Sequence, residues 1–183
     1  GGAPGWGSAD SMTSEATRHV MQANKGTDTK PELLVRRRLR AAGLGGYRLH
    51  WGKAAGRPDV CYPGRHVAIF VNGCFWHRCP HCDLPLPKTN TEFWEAKFAR
   101  NQARDHRDQE ALVLGGWTVV VVWECMLKPA HVDATMRQVV DVVVSAGNPG
   151  ERNHPLPGHV VEVGSMPAWR RWRLRRRARR RRG

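Results

Sequence analysis

The chain has 183 residues and a formal net charge of +14, and this length is sufficient for one domain with a hydrophobic core. No apolar run approaches the ~20 residues that a membrane-spanning helix requires, so no membrane span is predicted. The charge predicts a polyanionic partner, but ten arginines lie between Arg170 and Arg182, which leaves only +4 for residues 1–169. This tail is expected either to be a solvated run or to contribute to nucleic-acid binding.

Composition divides the chain into three segments. Residues 1–13 are rich in Gly and Ser and are expected to form a flexible leader. Beyond a boundary near Asn148 the composition shifts to Gly, Pro and Asn, so 148–183 is expected to be a disordered linker followed by the arginine tail. Residues 14–147 then form the folded domain, and a short helix is predicted around Arg18–Gln22.

Helix and strand signals alternate through this domain. A longer helix begins with the capping box Thr29–Glu32 and ends at Gly43 or Gly45. A second capping box, Thr89–Glu92, begins a long helix that ends at Gly115-Gly116. Strands are predicted at Tyr47–Trp51, Pro58–Tyr62, His66–Val71 and Trp117–Glu124, and a last helix at Val132–Val144. The order α, β-β-β, α, β, α predicts an α/β domain with one sheet and helices on both faces.

Three of the five cysteines lie within nine residues, in the stretch Val71–Cys82 (VNGCFWHRCPHC). This clustering favours a metal site over a disulfide framework. The predicted ligands are Cys74, Cys79, Cys82 and Cys125. Four thiolates would form a closed tetrahedral zinc site with Zn–S distances of ~2.3 Å. His81 could replace Cys82, and a set of buried free thiols is the alternative. Cys61, on a predicted strand, is interpreted as core.

A second candidate metal site lies at the ends of two predicted strands. Asp59 follows Pro58 on one strand, and the next strand ends at Val71-Asn72. The Asp59 carboxylate and the Val71 backbone carbonyl would provide the oxygen ligands that Mg²⁺ prefers, beside a scissile phosphate. Taken alone, Asp59 could equally be a turn residue.

Five other side chains are candidates for catalysis or DNA contact. His77 could act as the general base for an attacking water, or it could be a zinc ligand or a packing histidine. Taken singly, Glu32 is better interpreted as the capping-box glutamate and Asp105 as a charge on a solvated helix face. Phe75-Trp76 could wedge between base pairs if both rings are exposed; the alternative is that one ring packs under the zinc knuckle.

Motifs along most of the folded body resemble those of the very short patch repair (Vsr) endonucleases. They are GRPDV around Asp59, GCFWH at 73–77, TEFW at 91–94, the run Arg104–Asp108, and VVWEC at 121–125. The order and spacing match from about Thr17 to Leu127, which is far more specific than a lone C-x-x-C. The resemblance implies a restriction-endonuclease-like fold, a mixed sheet flanked by helices, with a structural zinc. It also implies an Mg²⁺-dependent enzyme that nicks one strand 5′ of the thymine in T:G mismatches produced by deamination of 5-methylcytosine.

The resemblance further implies roles for individual residues. Asp59 is the metal-binding carboxylate, assisted by the Val71 carbonyl, and His77 is the general base. Glu32 and Asp105 support the active site, with Asp105 orienting His77. The intercalating side chains are Phe75, Trp76 and, from the other groove, Met21. The zinc ligands are Cys74, Cys79, Cys82 and Cys125.

The resemblance implies double-stranded DNA with a T:G mismatch as the partner, with mismatch-repair proteins and a repair polymerase acting in the same pathway. The expected location is the cytoplasm of a prokaryote, at the nucleoid. A monomer suffices for a single nick.

Two departures from the family pattern affect these expectations. Asn72 stands where the best-known members carry a histidine; its amide can donate to a phosphate but cannot shuttle a proton at neutral pH. We expect activity to persist with His77 as the base. The knuckle Arg78–Cys82 replaces a histidine-rich run, which leaves the choice between Cys82 and His81 open. The alternatives are a nuclease with another mismatch or site specificity, and an inactive zinc-stabilised DNA-binding protein.

Overall fold

A mixed sheet flanked by helices forms the framework of the protein, as expected, and three of its four strands were predicted from the sequence. The computed structural model describes residues 26–147 and 158–164. In chain order the elements are α1 Lys30–Ala41, β1 Val60–Tyr62, β2 Val67–Asn72, α2 Thr91–Leu114, β3 Thr118–Trp123, α3 Val132–Ser145 and β4 His159–Val163. Short 3₁₀ turns at Pro63–Arg65 and Glu124–Leu127 follow β1 and β3. No helix within this described part combines the length and apolar character needed to cross a bilayer.

The strand order is β1-β2-β3-β4. β1 pairs antiparallel with β2, whereas β2, β3 and β4 run parallel, with Val71 beside Val122 and Val122 beside Val163. Parallel neighbours end at the same edge of a sheet. The carboxyl ends of these three strands therefore lie side by side, and the candidate site is built at this edge.

Helices cover both faces of the sheet. On one face, Val35 and Leu39 of α1 and Val139 of α3 are fully buried against the sheet. On the other face, Leu112 of α2 packs with buried residues such as Val119. β2 and β3 are nearly continuous apolar runs because both of their faces are covered, as is typical of parallel sheets.

The two predicted capping boxes have opposite outcomes. Thr29 caps α1: its hydroxyl accepts from the Glu32 N–H, and the Glu32 carboxylate accepts in return from the Thr29 N–H. The box at Thr89–Glu92 is wrong. Asn90 precedes α2 in the left-handed region, with φ of 53° and no side-chain cap, so the helix begins at Thr91.

The predicted strand Tyr47–Trp51 is also wrong. This segment contributes one isolated bridge, between Arg48 and Cys61, and the chain then turns through a left-handed His50 with φ of 43°. The alternating pattern was present, but a positive φ breaks the extended conformation that a strand requires. Cys61 is fully buried, which confirms its assignment to the core.

The expected disorder beyond Asn148 is wrong for one segment. His159–Val163 forms the edge strand β4, and two glycines allow it to approach its neighbours closely. A Cβ on Gly158 would lie 2.2 Å from the Val113 carbonyl oxygen, and one on Gly164, where φ is 76°, would lie 2.8 Å from Met126. Residues 1–25, 148–157 and 165–183, which include the predicted leader, the helix around Arg18–Gln22, Met21 and the arginine tail, lie outside the described residues.

Candidate active site

A cleft of about 1030 Å³ opens where β2 and β3 end. It brings together seven residues singled out from the sequence. These are Glu32, Asp59, Val71, Asn72, Trp76, His77 and Asp105. They come from α1, the start of β1, the end of β2, the loop after β2, and α2, so the fold assembles the cleft from segments distant in sequence.

Asp59 directly precedes β1, and antiparallel pairing of β1 with β2 places it beside Val71. The Val71 N–H donates to Asp59 Oδ2 at 2.7 Å. Burial raises the pKa of Asp59 to about 6, although the Val71 N–H opposes this increase; the nearby Glu32 carboxylate raises the pKa further. His50 and Arg36 lower the pKa of Asp59 by less than burial raises it. A carboxylate in this environment suits a divalent cation, and the Val71 carbonyl offers a second hard oxygen ligand.

His77 and Asp105 form a pair across the cleft. His77 Nδ1 makes a very short contact with an Asp105 carboxylate oxygen, and both side chains are about one-fifth exposed. Asp105 is therefore a cleft residue, and its interpretation as a solvated surface charge is wrong. Because a carboxylate accepts a hydrogen bond from Nδ1–H, the neutral ring keeps its lone pair on Nε2. This arrangement can orient an imidazole for accepting a proton.

Glu32 belongs to a buried ion-pair network. Its side chain is 5% exposed and accepts from Arg36 Nη2 at 2.9 Å, while Arg36 Nη1 donates to Asp28. His50 lies between Glu32 and Asp59. Its Nε2 is 3.7 Å from Glu32 Oε2, and its Nδ1 is 3.7 Å from Asp59 Oδ1. Sequence reasoning missed both Arg36 and His50. The i, i+4 spacing of Glu32 and Arg36 was an available signal for the first.

The four predicted zinc ligands lie together beside the cleft. The Sγ atoms of Cys74, Cys79, Cys82 and Cys125 are all within 4.8 Å of one another. The Cys79 and Cys125 sulfurs are 3.7 Å apart. A tetrahedral site with Zn–S of ~2.3 Å has sulfur–sulfur distances of about 3.8 Å, so the donor set fits zinc. The cluster includes neither His77 nor His81.

Burial raises the pKa of three thiols in this cluster. The pKa of Cys74 is raised to about 12, and the pKa values of Cys79 and Cys125 are also raised above their ordinary range. His81 contacts the cluster through its backbone, whose N–H donates to Cys79 Sγ at 3.4 Å. The ring of His81 is directed to β4 instead, with Nε2 3.9 Å from Glu162 Oε2. The geometry therefore favours Cys82 over His81 as the fourth ligand.

Phe75 and Trp76 are both half-buried against α2. Phe75 makes edge-on contacts with Trp76, Trp94 and Phe98 at centroid distances of 5.1–5.5 Å. Trp76 lines the cleft, and its carbonyl accepts from the Asn101 side chain at 3.0 Å. Phe75 thus packs against its neighbour Trp76 and two aromatic residues of α2, which differs from the alternative in which one ring packs under the zinc knuckle.

Several other cleft residues were not singled out from the sequence. Lys97, Asn101 and Arg104 line the cleft from one face of α2, at the i, i+4, i+7 spacing that the sequence already contained. Arg57 adds a further positive charge. At the end of β3, the Glu124 carboxylate accepts from the Cys74 N–H at 3.3 Å and so ties the thiol cluster to the cleft wall.

Comparison with known proteins agrees with the motif resemblance. Residues 9–84 match the family described as DNA mismatch endonuclease Vsr. Over 133 residues the chain is 38% identical to the type II nicking enzyme V.XorIIP of Xanthomonas oryzae pv. oryzae, covering 72% of this chain and 97% of that relative. Over 116 residues it is 40% identical to the DNA mismatch endonuclease Vsr of Escherichia coli, and the match covers 62% of this chain and 73% of that relative. These identities extend over most of each relative, and the chain therefore belongs to the Vsr family of DNA mismatch endonucleases.

Proposed function

We propose that this protein is an Mg²⁺-dependent DNA endonuclease that nicks one strand 5′ of the thymine in a T:G mismatch. The observation that carries the proposal is the single cleft in which Asp59 and the His77–Asp105 pair meet at one sheet edge, with Trp76 in the wall. Relatives named as a mismatch endonuclease and as nicking enzymes support the reaction class. We also propose that the mixed sheet corresponds to the restriction-endonuclease-like fold.

The proposed chemistry divides among five residues. The Asp59 carboxylate and the Val71 carbonyl would hold Mg²⁺, which when bound would stabilise the negative charge that develops on the scissile phosphate. His77 accepts a proton from the attacking water at Nε2, while Asp105 holds Nδ1 and stabilises the imidazolium that results. Asn72, at the end of β2, donates its amide hydrogen to a phosphate oxygen.

The aromatic residues explain how a mismatch would be selected. Inserting a ring between base pairs costs a few kcal/mol per step, and least where pairing is already weak, as in a T:G wobble. Phe75 and Trp76 are supported from behind by Trp94 and Phe98, which are each only 3% exposed. We propose that this support keeps the wedge rigid, with Met21 inserting from the other groove.

Zinc would make the loop after β2 rigid. With ligands from that loop and from the turn after β3, the ion would cross-link Cys74, Cys79 and Cys82 to Cys125. Four thiolates leave no open position for water, so the role is structural. The wedge and His77 lie in the same loop, so both recognition and catalysis depend on its geometry.

A substrate of this kind defines the setting of the reaction. We propose that the enzyme acts on double-stranded DNA with a T:G mismatch at the nucleoid, in the cytoplasm of a prokaryote. We propose that mismatch-repair proteins and a repair polymerase act on the nicked product, and that a monomer makes the nick.

The test is strand-resolved cleavage of a labelled duplex with one T:G mismatch in Mg²⁺, beside its C:G-paired twin. The matched control is the Asp59→Ala protein. A single nick 5′ of the thymine, absent from both controls, is the expected result. It would also show that Asn72 is compatible with catalysis.

Other outcomes separate the alternatives. Cleavage of both duplexes would retain the nuclease and replace mismatch recognition with another site specificity, as the relatives named as nicking enzymes allow. Tight binding without cleavage would instead indicate an inactive zinc-stabilised DNA-binding protein, with Asn72 as the first residue to restore to histidine.

A further inference from the structure

His50 faces the cleft between Asp59 and Glu32 but has no role in the chemistry above. Its Nδ1 lies 3.7 Å from Asp59 Oδ1, and its Nε2 lies 3.7 Å from Glu32 Oε2. The side chain is 25% exposed and lines the cleft. The ring therefore connects the buried network of α1 with the carboxylate proposed to bind metal.

Arg36 fixes the position of the hydrogen on the His50 ring. Arg36 Nη2 is 3.1 Å from His50 Nε2, and a guanidinium can only donate. Nε2 must therefore accept, so the neutral ring carries its hydrogen on Nδ1, the nitrogen that faces Asp59. Arg36 is itself held in place, because it donates to Asp28 and Glu32 and its side chain is only 7% exposed.

The same groups do not make a convincing second metal site. Asp28, Glu32 and His50 do lie within 4.8 Å of one another, as a cation site would require. However, the guanidinium of Arg36 already contacts all three, at 2.5, 2.9 and 3.1 Å. A metal ion there would face a buried positive charge, so the cluster is better described as an ion-pair network ending at His50.

We propose that His50 is a positioning residue for the Asp59 carboxylate. The Val71 N–H holds Oδ2, and the Nδ1–H of His50 faces Oδ1, so each carboxylate oxygen has one donor beside it. The 3.7 Å separation exceeds a hydrogen bond in the resting protein, and catalytic contacts of this kind tighten in the reacting complex. Two donors would orient the remaining lone pairs of Asp59 for a divalent ion.

The backbone at His50 is compatible with this role, although it shares its left-handed conformation with five other non-glycine residues among those described. Its φ of 43° lies in the left-handed region, which non-glycine residues rarely adopt. Strained backbone of this kind persists where the surrounding structure holds it in place, and it is found most often at functional sites. This conformation directs the ring into the cleft at the end of a segment that would otherwise continue as a strand.

Two substitutions separate the nitrogens of the ring. In His50→Asn the amide nitrogen takes the place of Nδ1, and asparagine tolerates left-handed backbone well. In His50→Gln the amide reaches the place of Nε2 and leaves Asp59 without its second donor. The matched control is His106→Gln, which changes a histidine that is 82% exposed on α2.

The measurements are the ring tautomer and the affinity for Mg²⁺. Nitrogen-15 NMR of the imidazole should show hydrogen on Nδ1 of His50. Calorimetric titration of Mg²⁺ into zinc-loaded protein on a cleavage-resistant mismatch duplex should give a Kd raised 10–100-fold by His50→Gln, the usual effect of removing a group that supports a metal ligand. The Kd for Mg²⁺ of His50→Asn and His106→Gln should remain close to that of wild type. The Mg²⁺ concentration that gives half-maximal nicking should change in proportion to the Kd in each protein.

The inference rests on the proposed function because it takes Asp59 as the metal-binding carboxylate. Hydrogen on Nε2, an unchanged Kd in His50→Gln, or equal losses in both His50 variants would overturn the positioning role while leaving a nicking wild type intact. A wild-type protein that neither binds Mg²⁺ nor nicks would overturn both. The two failures are therefore distinguishable.

Discussion

The charge on Asp59 should destabilise the protein until a divalent ion binds. Folding raises the pKa of this carboxyl from an ordinary value of 3.8 to about 6. The contribution of the Asp59 carboxyl to the free energy of unfolding is therefore greatest below pH 3.8, and it is lost as pH rises through about 6. The difference between the two pKa values corresponds to a loss of about 3 kcal/mol at pH 8.

Replacing Asp59 with Asn removes the charge but keeps an acceptor for the Val71 N–H. Without Mg²⁺ at pH 8, we expect Asp59→Asn to be more stable than wild type by up to about 3 kcal/mol, with the advantage declining between pH 6 and pH 4. Mg²⁺ at ten times its Kd should restore about 1.4 kcal/mol to wild type only. Asp141→Asn, on an exposed position of α3, is the matched control.

The assay is urea unfolding of wild type and both variants between pH 4 and pH 8, with and without Mg²⁺ and without chelators. Any zinc released at low pH affects all three proteins alike and cancels in the differences between them. The midpoints and slopes give the free energy of unfolding for each protein. Parallel pH profiles for wild type and Asp59→Asn, with the same response to Mg²⁺, would refute the assignment of a carboxyl group whose pKa is raised by burial at this position.

Four further predictions concern the rest of the site and the arginine tail. Asp105→Asn should lower kcat by 10²–10⁴-fold with little change in DNA affinity, because the His77 tautomer is no longer fixed; an unchanged kcat in single-turnover cleavage would contradict this. Trp76→Ala should greatly reduce the preference for T:G over C:G duplexes in binding assays, with zinc content unchanged; loss of zinc would mean that Trp76 is a packing residue. Zinc affinity, measured by competition with a chromophoric chelator, should fall steeply as pH decreases, because binding must displace protons from thiols whose pKa is raised; Cys125→Ser should weaken it at every pH, and Cys61→Ser should not. Removing residues 170–183 should reduce the slope of log K against log salt for DNA binding, by at most about 9 if all ten arginines contact phosphates, and an identical slope would indicate a solvated tail.

The four-cysteine cluster and the central strands could be predicted because their signals are local. A C-x-x-C knuckle is visible in the sequence, and the apolar runs of β2 and β3 reflect burial on both faces. Cys125 could be assigned to the same cluster because it directly follows a predicted central strand, and the end of that strand fixes where the next residues lie. These features need only short stretches of chain and general rules of packing.

The rest depends on contacts between distant segments. β4 is a short HVVEV segment among Gly and Pro residues, and only its pairing with β3 makes it a strand. His50 lies in an alternating pattern that predicts a strand, and its left-handed backbone is imposed by its surroundings. In the sequence, Asp105 is one of several charged residues on a long helix. Only the packing of α2 beside the loop that carries His77 brings the two side chains into contact.

The parallel direction of β4 determines where the chain leaves the sheet. Gly164 follows Val163, which lies beside Val122, and Val122 lies beside Val71 at the edge of the cleft. Two strand spacings of about 4.8 Å separate this exit from the end of β2. Any sequence joined after Gly164 starts within about 10 Å of the end of β2, at the edge where the active site opens. Evolution, or an engineer adding a DNA-binding module, can therefore change how long the enzyme stays on a duplex without altering any residue in the cleft.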